Sequence, residues 1–163
     1  MAVRPILRWP DARLAACCTQ ARPDAATRAL AEDMLETMYA APGRGLAAPQ
    51  VGETIRLFVM DPGWKEGRPA PVILLNPRVL WASPQRVKGP EGCLSIPGVT
   101  AVVERAAEVR LAWTAIDGTF REEVLDGFSA ICAQHEIDHL DGIVTLDHLV
   151  PEARTRALAG APV

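Results

Sequence analysis

The chain has no apolar run approaching the roughly 18 residues that suggest a membrane span, so no membrane-embedded role is expected. Its opening stretch, Met1 to Pro10, lacks an apolar core of signal-peptide length and is interrupted by Pro5 and Pro10, so export is not expected either. Basic charge is not in excess: 17 Lys and Arg stand against 20 Asp and Glu, for a formal net charge of −3. Nucleic acid and anionic lipid both call for a basic surface, so neither is an expected partner. Cysteine is sparse, at four residues, and two of them, Cys17 and Cys18, are adjacent. That arrangement makes no disulfide framework and points to a reducing, cytoplasmic compartment. Repeats, low-complexity tracts and Gly/Ser linkers are missing too, so residues 1–163 read as one domain. A chain of this size buries roughly two-thirds of its unfolded surface without needing a staple.

Local patterns predict an α+β fold. Asp24 can cap a helix running to Tyr39, with Leu30, Met34 and Met38 on one stripe; Pro42 and Gly43 stop it. Gly43 to Gln50 reads as a tight small-residue loop, and Asp61 to Pro71 as a surface loop. Ile55, Leu57 and Val59 alternate as a strand does, and Val72 to Leu75 is an apolar run that Asn76-Pro77 should close. Val109, Leu111 and Trp113, then an Asp117-Gly118 turn, then Phe120, Glu122 and Val124 read as a hairpin. From about Asp126 to Leu140 both faces of a helical pattern are apolar, so this helix should be central and almost wholly buried, with Gly142 as its left-handed cap. Pro151 to about Leu158 suits a short closing helix. Antiparallel sheets packed around the buried helix are the expected architecture. The tryptophans Trp9, Trp64, Trp81 and Trp113 read as packing or loop anchors, and Cys17, Cys18 and Cys132 as small buried hydrophobes.

The buried helix carries chemistry. His135-Glu136-Ile137-Asp138-His139 is an HExxH pattern; residues four apart lie one turn above each other, so both imidazoles can reach one ion. Glu136, one residue along, can hydrogen-bond a water on that ion and take its proton as the water attacks a carbonyl. A catalytic centre normally takes three protein ligands and keeps a position open. The extended zincin pattern would put a third His at the place held by Thr145, and His148 lies too far along, where it reads as a surface or helix-approach residue. Glu152, the metallopeptidase solution, sits in a Pro-led tail and is poorly placed. Cys93, among the small residues of Glu91-Gly92-Cys93-Leu94-Ser95, is the stronger candidate; Cys132, on the His135 face, is the other.

Three segments, Gly43-Arg44-Gly45-Leu46-Ala47-Ala48-Pro49-Gln50, Glu91-Gly92-Cys93-Leu94-Ser95 and Gln134-His135-Glu136-Ile137-Asp138-His139, resemble those of peptide deformylases in order and spacing. Pro5-Ile6-Leu7, Pro10-Asp11 and Leu75-Asn76-Pro77 are similar as well. The resemblance implies removal of the N-formyl group from formyl-methionyl nascent polypeptides of a bacterial type, an organellar origin being compatible, with release of formate. It implies Cys93, His135 and His139 as ligands of one divalent ion, ferrous iron by preference, with zinc, nickel or cobalt as substitutes. Glu136 matches the catalytic acid/base, Gln50 and the Leu94 backbone N–H the oxyanion donors, and Gly45 a backbone position beside the substrate. Phe128, Ile131 and Cys132 would line a methionine-sized pocket with Arg44 at its edge, and Glu91 and Arg105 would form a bracing ion pair. Ribosome association is a further expectation, weakened by the short tail. Two positions depart from the pattern, Arg44 where an aliphatic residue is usual and Thr145 where an aromatic is. Arg44 motivates a rival reading as a paralogue with another substrate, such as one bearing a carboxylate. A non-catalytic peptide- or metal-binding module is a more distant alternative.

Overall fold

The computed structural model describes residues 2–160; Met1 and residues 161–163 of the single domain expected over 1–163 lie outside the described residues. Helix α1 spans Ala25–Ala40, capped by Asp24, whose carboxylate accepts from the Thr27 N–H at 2.8 Å. Its buried stripe includes Leu30, Met34 and Met38, as the spacing predicts. Strands follow as β1 Gly45–Ala47, β2 Leu57–Met60, β3 Val72–Ala82, β4 Arg86–Cys93, β5 Ile96–Ala106, β6 Glu108–Thr114 and β7 Phe120–Asp126. Helix α2 spans Gly127–Leu140 and α3 spans Pro151–Ala159.

An antiparallel five-stranded sheet has the order β1-β2-β3-β6-β7, and β4 and β5 form a separate ribbon. All four residues of β2 are buried, because the sheet is covered on both faces. Leu46, Leu57, Val59 and Leu75 meet the α1 residues Leu30, Met34 and Met38. Ala47, Phe58, Leu74, Leu111 and Trp113 meet Cys132, Ala133 and Leu140 of α2. A third cluster, around Leu14, Ile96, Val99 and Leu146, joins the ribbon to the N-terminal segment and to α3.

Four expectations need correction. The segment after Gly43 is not wholly loop: Gly45–Ala47 adds an edge strand to β2, and Ala48–Val51 is a 3-10 turn. Strand β2 begins at Leu57, while Ile55 makes an isolated bridge with Thr19. Strand β3 does not close at Asn76-Pro77 but continues to Ala82 through a register shift. Asn76 takes the positive φ of 50° that the irregularity requires, and its side chain accepts from Ala21 N–H at 2.8 Å and donates to Ala21 C=O at 2.9 Å. Finally, Cys17 and Trp81 are exposed rather than packed inside, whereas Cys18, Cys132 and Trp113 are buried.

The hairpin around Asp117-Gly118 forms as expected, with Thr114 paired to Phe120 and Gly118 at φ 87°. Strand β7 runs directly into α2, whose interior is buried at Ala130, Cys132, Ala133, Glu136, His139 and Leu140 while Phe128 at its first turn stays exposed. At the other end Gly142 N–H donates to His139 C=O and Ile143 N–H to Asp138 C=O, the paired bonds of a Schellman end. Gly142 takes φ 77°, and a Cβ there would lie 2.6 Å from the Ala15 carbonyl oxygen.

Candidate metal centre

Helix α2 sets His135 and His139 one turn apart, with ring centroids 5.1 Å from each other. Cys93 ends β4, where a register shift after Glu91 leads into the tight turn to Ile96. The ribbon is fastened to α2, so this turn is held over the helix. Gln134 donates to Ala106 C=O at 2.9 Å and accepts from Ala106 N–H at 3.1 Å, and Arg105 donates to Asp138 at 2.6 Å. Cys93 Sγ therefore stands 3.4 Å from His139 Nε2, and one ligand atom each from Cys93, His135 and His139 lie within 4.8 Å of one another. Tetrahedral bonds of about 2.3 Å to sulfur and about 2.0 Å to nitrogen put such donors roughly 3.5 Å apart, so the three fit a small divalent ion. Cys132, the other sulfur candidate, instead points to Arg44 C=O at 3.7 Å. Glu152 and Thr145 are not in the cluster.

The surroundings orient these donors. His135 Nδ1 meets Glu91 Oε1 at 2.9 Å, leaving Nε2 for the ion. Arg105 grips both Glu91 oxygens, at 2.8 and 2.9 Å, which forms the bracing pair implied by the resemblance. Burial pushes the Glu91 carboxyl up, but hydrogen bonds from Arg105 and His135 outweigh it and hold the pKa at about 2. Burial likewise opposes charge on His135, yet Cys93 and Glu91 favour a proton there, one that a bound ion would displace. His139 is pushed down to about 3, by burial first and then by the neighbouring His135, so it is neutral and free to donate its lone pair. Burial lifts Glu136 to about 7. Among the described residues three buried side-chain atoms lack a hydrogen-bond partner, and two of them, Glu136 Oε2 and His139 Nδ1, belong to this centre. A cysteine sulfur, an anionic brace and a partnerless carboxyl oxygen around two imidazoles suit a bound cation.

Gln50 is 1% exposed. Its Oε1 accepts from Ala47 N–H at 2.9 Å, which turns the amide nitrogen toward Ser95 Oγ at 3.0 Å and Cys93 Sγ at 3.6 Å. Leu94 lies in the ribbon turn and its side chain packs on Gly43, where an added Cβ would sit 2.7 Å away. A Cβ on Gly45 would lie 3.0 Å from both Glu136 Oε1 and Cys132 Sγ, so only glycine leaves the carboxylate clear. These groups border a cleft of about 710 Å³ that also takes in Arg44, Phe128, Ile131 and Cys132. Every residue singled out as ligand, base, oxyanion donor or pocket wall thus borders one space, except His139, which is buried and does not line it.

Sequence reasoning missed two contributors. His148 is exposed, as expected, and Asp138 links it to the site: His148 Nε2 meets Asp138 Oδ2 at 2.8 Å, extending the chain of contacts through Arg105 and Glu91 to His135. Asp138 is an acidic residue inside an otherwise apolar helical pattern, and that was the available signal. Ser95 carried none.

The chain matches the family model described as polypeptide deformylase over residues 3–155. A peptide deformylase of Caulobacter sp. (strain K31) is 43% identical over 164 residues, covering 98% of this chain and 95% of that protein. One from Rhodopseudomonas palustris (strain BisB5) is 48% identical over 154 residues, covering 91% and 87%. Among solved structures, the Ehrlichia chaffeensis peptide deformylase in complex with actinonin superposes with a TM-score of 0.91 at 38% identity, covering 98% of this chain and 95% of that one. A peptide deformylase from Legionella pneumophila gives a TM-score of 0.91 at 36% identity, covering 98% and 93%. With nearly its whole length matched in sequence and in fold, the chain belongs to the polypeptide deformylase family.

Proposed function

We propose that this chain, as one catalytic unit over residues 1–163, hydrolyses the formyl amide of formyl-methionyl nascent peptides and releases formate. The observation that carries this reading is the partnerless, buried Glu136 carboxylate facing the same cleft as Cys93 and His135, with His139 alongside. Cys93, His135 and His139 would hold the ion, with ferrous iron proposed as the native one and zinc, nickel or cobalt able to replace it. When bound, a divalent ion supplies Lewis acidity and brings the pKa of water toward neutrality.

The protein's own groups do the rest. Glu136, buried and with one oxygen unpartnered, takes a proton from the attacking water. It then returns that proton to the departing amine nitrogen as the C–N bond breaks. Gln50 Nε2 and the Leu94 N–H would donate to the oxygen of the formyl carbonyl as charge gathers there; one such donor is worth about 3–4 kcal/mol. Gly45 would run its backbone beside the substrate, and Phe128, Ile131 and Cys132 would receive the methionine side chain. The substrate is met as it leaves the ribosome, in the cytoplasm of a bacterial-type cell.

The test is turnover of a short formyl-Met peptide by iron- or nickel-loaded protein. Glu136→Gln is expected to lower kcat by about 10²–10⁴-fold while metal content is unchanged. No turnover by fully loaded wild type, or full turnover by Glu136→Gln, overturns the reading. Metal analysis after anaerobic purification tests the iron assignment. The paralogue reading asked for a free cation in the pocket; Arg44 is instead paired with Glu66 at 2.7 and 2.8 Å, which favours the formyl-methionyl substrate.

A further inference from the structure

Arg44 stands between two concavities. Together with Phe128 it borders the cleft that holds Glu136, and the same two residues border a shallower groove on the outer side. Glu66 and Pro62 belong to the outer groove alone. Both Glu66 oxygens receive the guanidinium, at 2.8 and 2.7 Å, and Pro62 C=O accepts from the same Nη1. Phe128 offers its ring 5.2 Å from Arg44 Cζ. Every partner of the guanidinium except that ring draws it away from the cleft. The side chain is 26% exposed, so an unpaired charge there would sit in a partly dry, apolar setting.

The loop bearing Glu66 is itself tied to the segment just before β1 that bears Arg44. Asp61 N–H donates to Arg44 C=O at 2.8 Å, and Trp64 Nε1 donates to Gly43 C=O at 2.8 Å. Asp61 is buried and accepts from Tyr39 Oη at 2.5 Å and from Ala70 N–H at 2.9 Å. Glu66 is therefore presented at a fixed place rather than on a free loop.

We infer that Glu66 is a positioning residue for substrate selection: it neutralises Arg44 and draws its guanidinium outward, so that the wall shared with Phe128 receives an uncharged side chain. This rests on the formyl-peptide reading above. The fork of Arg44 matches the carboxylate of Glu66 in two parallel bonds, a geometry that lysine cannot copy. With Glu66 removed, the cation loses its paired carboxylate, and an acidic group brought by the substrate can take that place.

The test compares kcat/KM of nickel-loaded protein on two peptides, formyl-Met-Ala-Ser and formyl-Glu-Ala-Ser. Glu66→Gln is expected to lower the Met/Glu ratio by about three- to fivefold, the scale of a partly exposed pair. Arg44→Lys, which keeps the charge but loses the fork, should shift the ratio in the same direction. The double variant Arg44→Met with Glu66→Gln should return it to the wild-type value. A loosened loop alone would slow both peptides alike and would not be rescued by removing the arginine. An unchanged ratio in both Glu66→Gln and Arg44→Lys, or an equal fall in the double variant, overturns the inference. Absence of turnover by wild type on formyl-Met-Ala-Ser sinks the deformylase reading instead, and this inference with it.

Discussion

Tyr39 is the only tyrosine in the chain, and its hydroxyl donates to the buried Asp61 carboxylate at 2.5 Å. Burial, and then this hydrogen bond, raise its pKa from 10.0 to about 12. Unfolded tyrosine releases its proton near pH 10 and the folded residue keeps it longer. Below that point the stabilisation is complete; as pH climbs from 10 to 12 the unfolded state holds fewer protons, so stability falls. Urea midpoints of wild type should drop across that window, and those of Tyr39→Phe should drop less; parallel curves would refute the assignment. At this scale the chemistry was largely readable. Two histidines at helical spacing and a carboxylate between them announce themselves, because a helix fixes their relation. Cys93 against Cys132 was not decidable from spacing, since ribbon and helix meet only in three dimensions. That Arg44 turns outward follows from the cost of burying its charge, but its partner Glu66, in a segment without a pattern, was not readable.

The last turn of α2 carries His139 and ends at Gly142, whose φ of 77° and proximity to the Ala15 carbonyl leave no room for a side chain. Gly142→Ala combines left-handed strain with a collision against backbone. It should cost about 2 kcal/mol or more, read as a lower urea midpoint at unchanged slope. A loss under about 0.5 kcal/mol would show that the end relaxes freely. Elements with a strong period were legible: α1, α2 and the β6–β7 hairpin lie where apolar spacing and turn residues put them. The ribbon was not. Strand β4 contains Gly89, Pro90 and Gly92, residues depleted from strands, and its side chains are alternately exposed and only half-buried. It is held by pairing with β5 and by Arg105 and Gln134, long-range contacts that no local pattern records. Strand β3 was cut short for a related reason, since a bulge pinned by Ala21 lets it pass Asn76-Pro77.

The molecule's clusters close without the ion: the sheet is covered by α1 and α2, and the ribbon packs on the terminal segments. Chelation should therefore leave the far-ultraviolet spectrum unchanged while lowering Tm. An ion at a hundredfold excess over its Kd adds about 2.7 kcal/mol, or roughly 5–10 °C for a domain of this size. Reloading should restore Tm, and an unchanged Tm on chelation would argue against binding to the folded state. The α+β class was legible as a whole; the division into one sheet and one ribbon was not.

One guanidinium, Arg105, joins Glu91, on the same strand as Cys93, to Asp138 on the helix that carries both imidazoles. The three corners of the coordination triangle are thus riveted to one another from outside, before any cation arrives. A cation entering there would meet donors whose spacing is set by contacts of the ribbon with the helix.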